Sequence, residues 1–302
     1  MIMIKQDMSP EVVKAFKQKL VETMSAFISF CAENNITYFA TGGTAIGAIR
    51  HKGFIPWDDD IDVCMLRSEY DRFVALREKC KGTGYEITDY HTKGNSTPYA
   101  KFVNMNTTLV EFDYNSVSSG LFIDVFPLDN VGGSLAETIA LKKRIMANVQ
   151  RYQRTTFDLD SISMMRYLKG MHLNTIFQAI KYKLIYKHQV TKHVQMLEED
   201  DKALRSVVGD CVLNYYTFYK VEKEIFPKAW FSDTVEKSFE DIVIKLPVGY
   251  HEYLSQLFGD YMTPPPVEKQ LSHHSHYYCN LKEHLNIDEV RKRLRNGERY
   301  AM

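Results

Sequence analysis

Two short apolar runs, "IDVCM" (Ile61–Met65) and "LFIDVF" (Leu121–Phe126), each carry one aspartate among β-branched and aromatic residues. An acid in such company is costly to bury unless it is paired or metal-bound. The spacing is that of strands, not helices. Behind "WDDDIDV" the acids Asp58, Asp60 and Asp62 alternate, and Asp60-Ile61-Asp62-Val63 sets two acids on one strand face and two apolar residues on the other. Like charges at adjacent positions of one face repel unless something positive lies between them. Such a chain needs a sheet that gathers its acids and a cation to hold them. Carboxylate oxygens select a hard divalent ion, Mg²⁺ or Mn²⁺. Asp124 is then the natural third ligand, brought beside Asp60 and Asp62 by strand pairing. A blander reading stands beside this one, in which Asp58–Asp60 form a turn and Asp124 pairs with a buried arginine.

Gly42-Gly43-Thr44 follows a buried strand and opens a short helix, "TAIGAI". Glycines let backbone approach an anion, and a helix N-terminus presents its first N–H groups to phosphate. Together with the aspartates, this order suits metal-assisted transfer at phosphorus. Between the two lies Arg50-His51-Lys52. Arg50 and Lys52 would neutralise diphosphate oxygens, or the triplet caps the C-terminal end of the short helix. Phe54 and Trp57 flank the site, and with Tyr99 or Phe122 would face a base or a quaternary ammonium, unless they are core. His273-His274-x-His276 with Cys279 is too crowded for the usual zinc spacing and better suits one histidine in a phosphate or substrate contact.

The balance of 38 Lys+Arg against 38 Asp+Glu implies no global field for a polyanion, and no nucleic-acid partner is expected. Five scattered cysteines without a CxxC pair argue against a disulfide framework and suit a reducing cytoplasm. "MIMIKQDMSPE" lacks a signal-peptide pattern, and no run approaches the roughly 20 apolar residues of a membrane span. The expected location is cytoplasmic, at most peripheral to the inner face of the cell membrane.

Ser9-Pro10-Glu11 starts a helix whose apolar face recurs at Val13, Phe16, Leu20, Met24, Phe27 and Cys31. Strands are expected at 36–40, "IDVCM", "YEITDY", "YAKFV", "TTLVEFDY" and "LFIDVF", with turns at "KGN" and "NMN" and a helix capped by Ser68. Residues 1–133 thus read as an α+β core with a mixed sheet. A capping box at Ser134–Glu137 opens a mainly helical region, 134–223, and 224–302 forms a closing segment with a strand, a helix and three prolines. Between Asp160 and Glu198 no acid occurs, while Arg166, Lys169, Lys181, Lys183, Lys187 and Lys192 alternate with aromatic and aliphatic residues. This is either a solvated basic face or, over 161–197, a surface that meets anionic lipid or an anionic acceptor polymer.

The stretches "GGTAIGAIRHKGFIPWDDDIDV" and "LFIDVFPLD" closely resemble the LicD family, phosphotransferases with the nucleotidyltransferase (polymerase-beta-like) fold and relatives that include fukutin-related protein. The resemblance continues in "KSFEDIVIKLPVGYHEYLSQLFGDYMTPPP" and the histidines after it. It implies that Gly42-Gly43 is the phosphate turn, that Asp60 and Asp62 are metal ligands and that Asp124 is the third carboxylate. It also implies transfer of phosphocholine from CDP-choline, or a similar alcohol phosphate from a CDP-alcohol, to a hydroxyl of a glycan or glycolipid, with CMP released. Teichoic acid or lipopolysaccharide precursors would be the acceptors. The rival within the same fold is a nucleotidyltransferase that moves a nucleoside monophosphate and releases diphosphate.

Overall fold

A computed structural model describes residues 8–159, 161–272 and 274–302. Helix α1, Pro10–Glu33, starts at Ser9, whose hydroxyl accepts from the Val12 amide at 3.4 Å. Its buried stripe holds Phe16, Leu20, Met24, Phe27 and Cys31 as the spacing predicts, but begins at Val12, with Val13 half-buried. Strand β1 (Phe39–Ala40), helix α2 (Gly42–Arg50), strand β2 (Asp62–Leu66) and helix α3 (Arg67–Ala75) follow. Helix α3 leaves β2 directly at Arg67, so Ser68 lies inside its first turn and does not cap it. Strands β3 (Tyr85–Thr88), β4 (Ala100–Val110) and β5 (Ser119–Val131) complete this half.

"YAKFV" and the start of "TTLVEFDY" belong to one long strand, β4, and "NMN" is no turn between two. The β4–β5 register shifts there, between Asn104 and Leu109. Thr107 covers the irregularity, its hydroxyl accepting from the Leu121 amide at 2.8 Å in place of a ladder bond.

Helices α4 (Leu135–Thr155), α5 (Ser161–Lys169), α6 (Leu173–Lys181) and α7 (Val190–Arg205) form the expected helical run, and the Ser134–Glu137 capping box is present. That run stops short of Lys223. Strand β6 (Cys211–Leu213) interrupts it, because Val212 and Leu213 are fully buried and extend the sheet beyond β5. Helix α8 (Val221–Glu224), strands β7 (Phe226–Pro227), β8 (Thr234–Phe239) and β9 (Ile242–Pro247), helix α9 (Tyr250–Phe258), strand β10 (Tyr278–Asn280), helix α10 (Ile287–Arg295) and strand β11 (Tyr300–Ala301) close the chain.

The architecture is α+β. Its central sheet runs β1-β2-β5-β4-β10-β11, mixed in direction, with β2 parallel and β4 antiparallel to β5. One edge of β4 is shared: β3 pairs along its first half, and β10 along its last three residues. Helix α1 packs on β4 and β5, with the Phe27 ring edge-on to Tyr38, Phe73 and Phe102. The apolar core runs from α1 through β5 to β9, α9 and Cys279 of β10. At the far end of β5, Arg67 grips Asp129 through two bonds of 2.6 and 2.7 Å, both groups buried.

Candidate active site

Asp62 and Asp124 are direct partners across the parallel β2–β5 pair. On β5 the buried residues Leu121, Ile123 and Val125 alternate with Phe122, Asp124 and Phe126, so the acid lies on the half-open face between two rings. Asp60 precedes β2 in extended chain, with buried Ile61 between it and Asp62. Asp58 hydrogen-bonds to Asp60. Burial, with the charges of neighbouring aspartates, drives this group upward. The Asp58 carboxyl is pushed up to about 8 by burial and then by Asp60. Asp62 is raised well above the carboxylate range by burial, Asp60 and Asp124. Burial also raises Asp60 and Asp124, against the pull of His274 and Lys101 respectively.

The glycine turn is aimed at these acids. Gly42 begins α2 in the left-handed region at φ 55, and a Cβ there would lie 3.6 Å from Asp62 Oδ2. A Cβ on Gly43 would meet Asp58 Oδ2 at 2.2 Å, so only glycine lets that carboxylate lie against the first turn. Thr44 ties helix to strand, its hydroxyl accepting from the Asp62 amide at 2.9 Å. From the C-terminal segment, the Tyr253 hydroxyl bonds Thr41 Oγ1 and accepts from the Gly42 amide.

His274 and Lys101 face the cluster. His274 Nδ1 is 2.7 Å from Asp59 and its Nε2 is 3.2 Å from Asp60. Burial opposes its charge, but the bond to Asp59 and the charges of Asp60 and Asp59 raise it to about 10, so it is an imidazolium at neutral pH. Asp59 in return is held below its usual value: burial works against this, and His274 and His276 outweigh it. Lys101 is Asp124's partner in β4, with Nζ 3.4 Å from Asp124, 3.5 Å from Glu111 and over the Phe122 ring. That ion pair is long and poorly aligned, and among the described residues Asp124 Oδ1 has no hydrogen bond despite its burial.

Cavities lie on both sides. One of ≈ 120 Å³ is walled by Gly42, Gly43, Asp62, Phe126, Tyr219 and Tyr253 among others. A smaller one of ≈ 30 Å³ is walled by Asp60, Asp124, Glu111, Phe122, His274 and His276 among others. The structure thus gathers Gly42, Gly43, Thr44, Asp58, Asp60, Asp62 and Asp124. It does not bring Arg50, Lys52 or Trp57 into these walls. Arg50 stands at the other end of α2, about 12 Å along the helix, donating to the Tyr261 carbonyl at 2.6 Å. Lys52 lines a wider groove with Lys14 and Glu240. Trp57 sets its ring edge-on to His51. Phe54 packs on Phe239, and Tyr99 packs on Phe126. Of the histidine cluster, His273 lies outside the described residues.

Sequence reasoning passed over Lys101, Tyr253 and Lys17. Lys101 carried a usable signal, a charge between Ala100 and Phe102 in a strand, which is the same misfit that exposed Asp124. Lys17 pins the aspartate loop from α1, donating to the Pro56 carbonyl at 3.1 Å.

Residues 35–168 match the family model described as "LicD/FKTN/FKRP, nucleotidyltransferase domain". The chain is 33% identical over 264 residues to the "Lipopolysaccharide cholinephosphotransferase LicD" of Haemophilus influenzae, covering 85% of this chain and 95% of that protein. The chain belongs to the LicD family. Two uncharacterized proteins, of Rickettsia typhi and Rickettsia prowazekii, are 35% and 29% identical over 68 and 87 residues. These cover 22% and 27% of this chain, and 22% and 33% of the relatives. As a LicD-type enzyme the chain is a phosphotransferase, and the cluster of Asp60, Asp62 and Asp124 falls within the matched residues.

The donor set fits a hard divalent ion. Carboxylates raised by burial and by one another's charge, and an Asp124 oxygen without a hydrogen bond among the described residues, are what such an ion relieves. Among the described residues no three acidic, histidine or cysteine side chains already close on one point. Mg²⁺ is commonly held by one or two carboxylates and completed by substrate phosphate.

Proposed function

We propose that the protein transfers phosphocholine, or a similar alcohol phosphate, from a CDP-alcohol such as CDP-choline to a hydroxyl of a cell-surface glycan or glycolipid, releasing CMP. The observation that carries this reading is the pairing of Asp62 with Asp124 beside the first turn of α2. The lipopolysaccharide cholinephosphotransferase relative favours the head group and an acceptor of the lipopolysaccharide kind; teichoic acid precursors belong to the same acceptor class.

Asp60, Asp62 and Asp124 would hold Mg²⁺ or Mn²⁺, which when bound neutralises diphosphate oxygens and makes the phosphorus more electrophilic. The chain's own groups do the rest. The first-turn amides at Gly43 and Thr44 orient a phosphate at the positive end of α2. The aromatic wall of Phe126, Tyr219 and Tyr253 suits the base or the cationic head of the donor. Asp124 orients the acceptor hydroxyl and takes its proton. A bond forms from the acceptor oxygen to the phosphorus bearing the alcohol, the bond from that phosphorus to the bridging oxygen breaks, and CMP departs with the electron pair. An acceptor carried on lipid would be met at a membrane surface by a chain in which no described helix is long and apolar enough to cross one.

The test follows the phosphorus. Incubation with CDP-choline and a lipopolysaccharide acceptor should release CMP and leave phosphocholine on the glycan. Diphosphate from CTP or ATP, with no CMP from any CDP-alcohol, would establish the nucleotidyltransferase alternative instead.

A further inference from the structure

Helix α6 is packed inside out. Its buried positions are Thr175 and Ala179, while Leu173, Phe177 and Ile180 share the opposite stripe and are 63%, 70% and 47% exposed. The π turn that follows, Tyr182–Tyr186, leaves Leu184 and Ile185 exposed as well. A helix whose only neighbour is its own protein turns that stripe toward the core. Single exposed apolar side chains need no explanation, but a contiguous set does.

The segment is seated by its other side. Tyr182 packs edge-on to Phe157, and Arg154 of α4 lies over the rings of Tyr182 and Tyr186. The tyrosines, Thr175 and Ala179 thus seat the segment, while most of the apolar stripe stays open. Around it Lys169, Lys181, Lys183 and Lys187 are exposed, and no Asp or Glu occurs from 161 to 197. The surface combines bare hydrocarbon with charge of one sign.

We propose that α6 and the turn after it lie in the headgroup layer of an anionic bilayer, with Leu173, Phe177, Ile180, Leu184 and Ile185 at the acyl boundary and the lysines at lipid phosphates. A second copy of the chain is a poor occupant, since a two-fold contact would press the same lysine rim against itself. The proposal does not depend on the donor or the head group that the enzyme uses.

The experiment is flotation of the full chain with vesicles, phosphatidylglycerol–phosphatidylethanolamine against phosphatidylcholine. The protein should float with the anionic vesicles, and less with the zwitterionic ones by about tenfold or more. Added salt should weaken this binding and leave a remainder, because burial of the stripe is not screened. Phe177→Ser with Leu184→Ser should cut flotation by about tenfold or more, with an unchanged melting temperature and circular dichroism spectrum. Lys181→Glu, Lys183→Glu and Lys187→Glu together should remove the preference for anionic lipid. Equal flotation of wild type and the Phe177→Ser/Leu184→Ser variant would overturn the proposal. So would a lipid-free dimer that this variant converts to monomer.

Discussion

Lys101 faces Asp124 across β4 and β5, its ammonium 3.4 Å from the carboxylate and resting on the Phe122 ring. The ammonium has few rivals close to Asp124, and Glu111 adds negative charge on the same side. Replacing it by Lys101→Met should lower CMP release by about 10²-fold, the scale of losing one charged contact in a water-poor site. Steady-state assay with CDP-choline reads this directly, and wild-type turnover in the variant would make Lys101 a packing residue only.

Asp62 is held by the sheet in the company of Asp58, Asp60 and Asp124. Asp62→Asn should abolish turnover and yet raise the melting temperature of the metal-free protein, because a carboxyl disfavoured by burial and by its neighbours is gone. Mg²⁺ should raise the melting temperature of wild type and leave that of the variant unmoved, as binding to the folded state alone requires. Chelation by EDTA should stop turnover, with Mg²⁺ or Mn²⁺ restoring it. Full activity after rigorous metal removal would refute the ion's role.

Arg67→Met strips a buried cation from Asp129, which is fully buried, and from Asp201 at 3.5 Å. Asp201 keeps Tyr90, Tyr216 and Arg205, but leaving Asp129 uncompensated should cost about 3–5 kcal/mol, read as a lower urea midpoint. Pairing it with Asp129→Leu should recover part of the loss, since the stranded charge is removed as well.

His193 is buried, and among the described residues neither ring nitrogen has a hydrogen-bond partner. Burial, and then Lys192, Arg151 and Arg154, lower its pKa from the ordinary 6.5. The folded state favours the neutral ring, while the unfolded chain takes up a proton as pH falls through 6.5. Its contribution is therefore present above that pH and lost below it. The raised aspartates and His274 push the whole protein's urea midpoints the other way, so the reading is the slope of the variant against that of wild type: His193→Phe should gain on wild type as pH falls from 7.5 to 5. An unchanged slope in the variant would assign the acid sensitivity elsewhere.

What the sequence disclosed and what it hid divide along one physical line. Asp62 and Asp124 were legible because an acid in a period-two apolar run is a misfit visible without neighbours. Their meeting across β2 and β5 follows once both are strands. Lys101 was equally visible and was passed over. Tyr253 and His274 were not legible as partners of Gly42, Asp59 and Asp60, since contacts across more than 200 residues leave no local period. Arg50 is near the aspartates in the chain, yet helix α2 sets it at the end opposite Gly42. The "NMN" stretch looked like a turn because its polar residues are turn formers, and only pairing with β5 turns them into an irregularity within one strand.

The shared edge of β4 places a clock in the protein's manufacture. Asp62 and Asp124 can pair early, but His274 and β10 leave the ribosome some 150 residues after Asp124, roughly eight to thirty seconds later at ordinary rates of synthesis. Through that interval the nascent chain holds an acid cluster without its imidazolium, beside a strand edge with nothing yet to pair along its last three residues. Until that segment is made, a nascent chain lacks both the His274 contact to Asp60 and the strand that completes this edge.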